Sequence, residues 1–175
     1  MSRQKNKSKN RLSKAQLDTN KKISSLKTMY FNRFLMVRYI LAVMVFANFF
    51  LAYLCWPAFT GIAAGIMLVL SIGPMWEMGK MYGHTEPAVR WTRRYNVLQL
   101  VINCGFCFLV WAAPMASVFP FFADVLAAKI IASVILAFGA VLCILCLRRL
   151  DRIQAGRDKQ LARIRFFEEK YRLQI

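Results

Sequence analysis

The chain has 175 residues, of which 58% are hydrophobic, and it carries 25 Lys and Arg against 8 Asp and Glu, a net charge of +17. A soluble domain is roughly 45–50% apolar, so this composition argues against a soluble enzyme or binding module. Nucleic-acid-binding proteins gather their basic residues on one folded face. Here only nine charged residues lie between Phe34 and Leu147 and the others sit in the two tails, which argues against nucleic acid as a partner.

The first segment, residues 1–33, is a basic tail with ten Lys or Arg and one Asp. It is poor in apolar residues, and such a composition predicts a largely disordered segment. Each basic residue near an anionic leaflet contributes about 1 kcal/mol of attraction. We therefore expect the tail to lie on an anionic inner leaflet or on an acidic partner, with an interfacial helix at about residues 17–31.

Four apolar stretches follow, and each is close to the roughly 20 residues that a helix needs to cross a bilayer. They span residues 34–56, 58–76, 97–113 and 125–147. Because Pro57 alone separates the first two, they should form a tight hairpin. The sequence predicts an all-α membrane protein of four transmembrane helices, arranged as two antiparallel hairpins, within a membrane domain 34–147.

Loop charge predicts the orientation of these spans. Lys and Arg concentrate in the two tails and in the loop 79–96, and basic segments remain on the cytoplasmic side. Both termini and this loop should therefore be cytoplasmic. Five residues are expected at the inner interface, where Glu77 could pair with Lys80 three positions on: Glu77, Lys80, Trp91, Arg93 and Arg94.

The C-terminal segment 148–175 predicts a basic amphipathic helix that continues the fourth span and is weakened near Gly156. Leu150, Leu161 and Ile164 fall on one approximate stripe. An apolar stripe needs a cover. The membrane surface, the N-terminal tail, a second copy of the chain and a partner's helix are all candidates, and the interleaved acids favour protein contact.

Three polar residues within the spans are candidates for function, since polar groups are costly in a bilayer: Asn48, Gln99 and Asn103. They could line a substrate path, although an interhelical hydrogen bond is the commoner role. Gly61 and Gly65 form a GxxxG pattern that permits a close helix crossing, either within the first hairpin or in a dimer. Pro74 should kink or end the second helix.

Two cysteine pairs, Cys104 with Cys107 and Cys143 with Cys146, lie at i, i+3 spacing within the third and fourth spans. Four thiolates could bind zinc or an iron–sulfur cluster. Their negative charge would then lie in a medium of low dielectric constant with no histidine nearby. Packing as small apolar residues is favoured, so we predict no metal and no cofactor.

The loop 79–96 shows no nucleophile–base set and no paired carboxylates, so we expect no enzyme activity. The favoured function is a small polytopic membrane protein that acts as a non-enzymatic subunit or scaffold of a larger assembly. Its basic tails would contact anionic lipid, a protein partner or a second copy. The alternatives are a small transporter or channel component acting as an oligomer, and a membrane thiol redox or metal protein. The cysteine distribution favours a bacterial cytoplasmic membrane, with the endoplasmic reticulum as the other compartment.

Overall fold

The computed structural model describes the backbone of residues 2–81 and 89–171, together with their side chains except those of residues 2–13 and 15. Every regular element in these ranges is a helix, which confirms the prediction of an all-α protein. The helices are α1 (Ser2–Asn32), α2 (Leu35–Leu54), α3 (Phe59–Leu70), α4 (Ile72–Lys80), α5 (Arg90–Ala112), α6 (Met115–Val118), α7 (Leu126–Gln154) and α8 (Lys159–Tyr171).

Four helical segments are long and apolar enough to cross a membrane. They are α2, the combined α3 and α4, α5, and the long segment that begins at Leu126. The prediction of an integral membrane protein with four spanning helices is confirmed at this level. Large apolar side chains such as Phe46, Val69, Phe108 and Phe138 are exposed on the outside of the bundle, where lipid chains would cover them.

The second span is interrupted at Ser71, between α3 and α4. Pro74 lies three residues later, and its ring clashes with the carbonyl four residues before it while it lacks a backbone N–H. That carbonyl belongs to Leu70, the last residue of α3. At the break, the Ser71 hydroxyl donates to the Leu68 carbonyl at 2.6 Å. The break therefore follows from the proline, as the sequence predicted.

The third spanning helix is longer than its apolar stretch. It begins at Arg90, seven residues before Val97, where the predicted span starts. It ends at Ala112, because the residue before a proline is disfavoured in the helical region. Ala113, which precedes Pro114, adopts an extended conformation with φ −124° and ψ 161°.

The fourth spanning helix, α7, ends at a specific capping motif before α8 begins. Gly156 has φ +65°, a left-handed conformation that glycine adopts without steric cost. Its N–H donates to the Ile153 carbonyl at 3.2 Å, and the Arg157 N–H donates to the Arg152 carbonyl at 3.1 Å. These two bonds define a Schellman motif. The continuous helix expected through this region is thus replaced by α7, a turn and α8.

The N-terminal segment differs from the largely disordered tail that its composition predicts, because Ser2–Asn32 is helical. It contains no glycine or proline, and its many Lys, Arg, Gln and Leu residues are good helix formers. Its C-terminal half also packs against α8. Residues 82–88 of the predicted loop 79–96, and residues 172–175 of the predicted C-terminal helix, lie outside the described residues.

The bundle core consists of two hydrophobic clusters, one toward each end. Helix α5 packs along α7 and α2 packs along α3, while α2 also contacts α7 and α4 contacts α5. One cluster includes Val37, Met67 and Cys146. The other includes Cys55, Phe106 and Leu136. Polar side chains of α2 and α5 occupy the level between the two clusters.

Candidate functional site

A chain of buried amides joins α2 to α5 at the level between the two hydrophobic clusters. The Asn48 Nδ2 donates to the Gln99 Oε1 at 2.8 Å and to the Tyr95 hydroxyl at 3.2 Å. The Gln99 Nε2 in turn donates to the Asn103 Oδ1 at 3.2 Å. All four side chains are buried. The structure thus brings together the three polar residues predicted within the spans and adds Tyr95.

Helix α7 closes this amide chain from the third side. A methyl group added at Gly139 would lie 2.7 Å from the Asn103 Nδ2, which is closer than a carbon can approach. Glycine at this position therefore allows α7 to pack directly against the amide. Interhelical contacts in membranes depend on such small residues and on polar side chains that bond across helices.

Asn96 lies on the same side of α5 as Gln99 and Asn103, nearer to the start of the helix at Arg90. We call these three residues the polar stripe of α5. The Asn96 side chain is fully buried, and its Nδ2 donates to the Thr92 carbonyl at 2.8 Å. Its Oδ1 has no hydrogen-bond partner among the described residues. A buried acceptor left in this way costs about 1–3 kcal/mol, so this oxygen is a place where a water molecule or another donor would bind favourably.

Glu77 caps the start of α5. Its Oε2 accepts the Thr92 N–H and the Thr92 hydroxyl, both at 2.8 Å, and its Oε1 accepts the Trp91 N–H at 3.2 Å. A carboxylate at a helix N-terminus satisfies unpaired N–H groups and complements the helix dipole. Glu77 thus fastens α4 to α5 and is not paired with Lys80, the partner that its sequence spacing suggested.

The other residues expected at the inner interface lie at this same end of the bundle. The Lys80 ammonium lies 5.1 Å from the Trp76 ring, and the Arg94 guanidinium lies 5.8 Å from the Trp91 ring. Arg93 forms an exposed ion pair with Asp151 at 3.2 Å. A ring of cations and tryptophans at one level of a bundle is typical of a membrane–water interface.

A buried ion cluster, which we call the clasp, consists of Arg33, Arg149 and Asp158. The Arg33 Nε lies 3.3 Å from the Asp158 Oδ2, and the two side chains are 4% and 2% exposed. Arg149 engages both carboxylate oxygens, at 3.1 and 3.3 Å. Arg33 also donates to the Ile153 carbonyl at 2.9 Å. The clasp therefore ties the junction of α1 and α2 to the turn between α7 and α8.

Beyond the clasp, α8 packs against α1. Leu26 of α1 and Ile164 of α8 are completely buried. The Tyr30 hydroxyl donates to the Glu168 Oε1 at 2.9 Å, and the Lys22 ammonium lies 4.5 Å from the Tyr171 ring. Of the covers considered for the α8 stripe, the N-terminal segment is the one that the structure places there.

Partial burial of Tyr30 changes its ionisation. Desolvation by burial raises the pKa of the Tyr30 hydroxyl, and its hydrogen bond to Glu168 raises that pKa further. Both causes disfavour the phenolate, because it would be less hydrated and would face a carboxylate. The hydrogen bond between Tyr30 and Glu168 therefore requires a protonated tyrosine.

The four cysteines of the two predicted pairs differ in burial. Cys143 and Cys146 are buried in the hydrophobic cluster that also contains Val37, whereas Cys104 is exposed and Cys107 is half-buried. Within residues 2–81 and 89–171, no three His, Cys, Asp or Glu side chains come together in an arrangement that could hold a metal ion. The pair on α7 is thus more deeply buried than the pair on α5.

The two glycines of the GxxxG pattern also have different surroundings. A methyl group at Gly61 would lie 2.7 Å from both the carbonyl carbon and the oxygen of Cys55, in the turn that joins α2 to α3. A methyl group at Gly65 would meet no atom within 4 Å. Gly61 is therefore required by the internal turn, while Gly65 leaves a shallow gap on the surface of α3.

Three residues with central roles were not singled out from the sequence: Arg33, Asp158 and Tyr95. One local signal was present for Asp158, because an acidic residue two positions after a helix-ending glycine is a favoured start for the next helix. Its Oδ1 does accept the Gln160 N–H at 3.4 Å. No comparable signal pairs Arg33 with a residue 125 positions away.

Comparisons of the chain with protein-family models, with curated proteins and with solved structures give no match.

Proposed function

We propose that this protein is a non-enzymatic subunit or scaffold of a larger membrane assembly, and that the paired helices α1 and α8 form its docking unit. The observation that carries the proposal is the clasp. It fixes two terminal segments to the inner ends of the bundle, so that they form a folded unit with a defined surface instead of two free tails.

The proposed topology consists of two antiparallel hairpins with both termini in the cytoplasm. The close packing of α2 with α3, and of α5 with α7, supports the hairpins. The concentration of basic residues in both tails supports the cytoplasmic side for the termini. A bacterial cytoplasmic membrane is the favoured location, and an endoplasmic reticulum membrane would fit the same pattern.

The outer surface of the docking unit is strongly basic. Exposed cations line both helices, among them Lys21, Lys22, Arg163 and Arg165. Basic side chains near a membrane surface are attracted to anionic lipid by about 1 kcal/mol each. The same charges attract an acidic protein surface and speed its approach. We therefore propose an acidic protein partner that meets this unit at the anionic inner leaflet.

The experiment that tests this proposal is purification of the intact protein from native membranes in mild detergent, with cross-linking mass spectrometry. Two variants accompany it: a chain ending at Gln154, which lacks α8, and the charge reversal R163E/R165E, which leaves the clasp residues intact. We expect a stoichiometric partner with the intact protein, and its loss with both variants. A lone homo-oligomer that is unchanged by either variant would refute the docking role.

A second candidate, a small transporter or channel component acting as an oligomer, is favoured by the polar stripe of α5 and the unpartnered Asn96 oxygen. The other amides bond to one another, which favours a packing role for them. Flux measured in liposomes separates the two roles. A transport role requires flux that Asn48→Leu or Asn103→Leu abolishes, whereas a packing role requires no flux in any version.

A further inference from the structure

An open groove of about 460 Å³ lies at the inner end of the bundle, between α2 and α4. Its walls are apolar and come from Leu41, Val45 and Phe46 of α2 and from Met75 and Met78 of α4. Phe46 and Met75 are exposed on the outside of the bundle. The groove thus opens sideways, toward the space that lipid chains would occupy.

Small residues create this groove. Ala42 and Gly79 both line it, and a methyl group at Gly79 would meet no atom within 4 Å. A larger side chain at Gly79 would therefore occupy the groove without disturbing the packed core.

A cation stands at one end of the groove. Arg38 lines it, and its guanidinium lies 3.2 Å from the centre of the Phe31 ring and donates to the Phe31 carbonyl. A guanidinium has five N–H donors in a fixed fork that suits phosphate oxygens. The contact with Phe31 is the one hydrogen bond that the Arg38 guanidinium makes within the described ranges 2–81 and 89–171, so further donors remain for a ligand.

A second cation lies beside a hollow that adjoins the groove. This hollow also measures about 460 Å³, and it shares Met75 and Gly79 with the groove. Lys80 and Trp76 complete its lining, with the ammonium 5.1 Å from the ring. The two spaces together present apolar walls along the bundle and positive charge at its inner end.

We propose that this groove binds one anionic glycerophospholipid, with its phosphate held by Arg38 and Lys80 and one acyl chain lying between α2 and α4. The apolar walls fit an acyl chain and would add nothing to the binding of free phosphate. The two cations favour a lipid with net negative charge over a zwitterionic one, whose own ammonium would face them. The inference rests on the bundle spanning a bilayer and does not depend on the docking role of α1 and α8.

Native mass spectrometry of the full-length protein, purified and then titrated with phosphatidylglycerol or phosphatidylcholine of identical acyl chains, tests the proposal. Gly79→Leu fills the groove. Gly105→Leu is the matched control, because a methyl group at Gly105 also meets no atom within 4 Å. Arg38→Gln removes the charge at the groove, and Arg38→Lys keeps it.

We expect the unaltered protein to bind one phosphatidylglycerol in preference to phosphatidylcholine. Gly79→Leu should weaken this binding roughly tenfold, because the leucine side chain occupies the space of the acyl chain. Gly105→Leu should leave the binding unchanged. Arg38→Gln should reduce the preference between the two lipids, because Lys80 remains as the only cation of the pair, and Arg38→Lys should retain most of it. Equal binding of both lipids by the unaltered protein, or equal effects of the two leucine variants, would overturn the proposal. Circular dichroism checks that each variant is still helical. All samples contain the purified protein without any partner protein, so the result does not depend on the docking role of α1 and α8.

Discussion

Replacing Asp158 with asparagine should release the docking unit from the bundle. The substitution removes the negative charge that two arginines share, and Arg33 is only 4% exposed. Arg149 is 22% exposed and can turn toward water, but Arg33 cannot do so without opening the clasp. Removing one partner of a buried ion pair costs about 3–5 kcal/mol, because the remaining charge stays desolvated and unpaired.

Asp151→Asn is the matched control for this change. Asp151 also pairs with an arginine, Arg93, at 3.2 Å, but the two side chains are 55% and 52% exposed. Exposed pairs of this kind contribute about 0–1 kcal/mol. The same chemical change, seven residues earlier in the chain, should therefore leave α8 in place.

Hydrogen exchange of the backbone amides of α8 measures the difference. A loss of about 3–5 kcal/mol corresponds to roughly two to four powers of ten in protection, up to the limit set by the opening of α8 itself. Asp151→Asn should change protection by less than about fivefold. The reasoning is refuted if the two variants exchange alike. It is also refuted if R33Q/D158N loses as much protection as the sum of the two single changes, since members of one ion cluster couple by about 0.5–3 kcal/mol.

Three further outcomes follow from local geometry. Gly61→Ala should destabilise the protein by about 1–3 kcal/mol, because its methyl group meets the backbone of the turn, whereas Gly65→Ala should change stability by less than about 0.5 kcal/mol. Thermal unfolding in detergent compares the two variants. Equal effects would contradict this account of the GxxxG pattern. Gly156→Ala should cost about 1 kcal/mol in the same assay, since φ is +65° there, and an unchanged unfolding temperature would count against the capping motif. Because burial and Glu168 raise the pKa of Tyr30, the stabilising contact is complete below the ordinary tyrosine pKa of about 10 and is lost as pH rises through the higher folded value. In ¹³C NMR the Tyr30 signal, assigned by its absence in Tyr30→Phe, should titrate above pH 10 and shift toward 10 in Glu168→Gln; a midpoint at or below 10 would contradict the burial of this hydroxyl.

The sequence by itself determined the class of protein and several of its helix boundaries. Hydropathy and length identified four spanning helices, which the structure confirms. Pro74 marked the place where the second span breaks, and Gly156 marked a weak point in an expected continuous helix, where the structure ends α7. These features depend on neighbouring residues alone, since a proline removes a hydrogen bond within its own helix and a left-handed turn requires a residue without a Cβ.

Tertiary structure decided which polar residues meet. Asn48, Gln99 and Asn103 were visible as polar residues within apolar spans, but their shared hydrogen-bond chain depends on how α2 and α5 are rotated toward each other. The spacing of Glu77 and Lys80 suggested an ion pair on one helix. In the structure, the Glu77 carboxylate accepts hydrogen bonds from the start of α5 instead, because a helix N-terminus offers several N–H groups at once.

The clasp is the clearest case of a contact that only the tertiary structure decided. Arg33 and Asp158 are each one charge among many in basic tails, and 125 residues separate them. Neither the composition nor the period of the tails marks them as partners. They meet because α7 ends at its glycine, α8 turns back, and the helix that begins at Ser2 lies across it. A contact of this kind is fixed by the packing of whole helices, and local patterns in the sequence do not encode it.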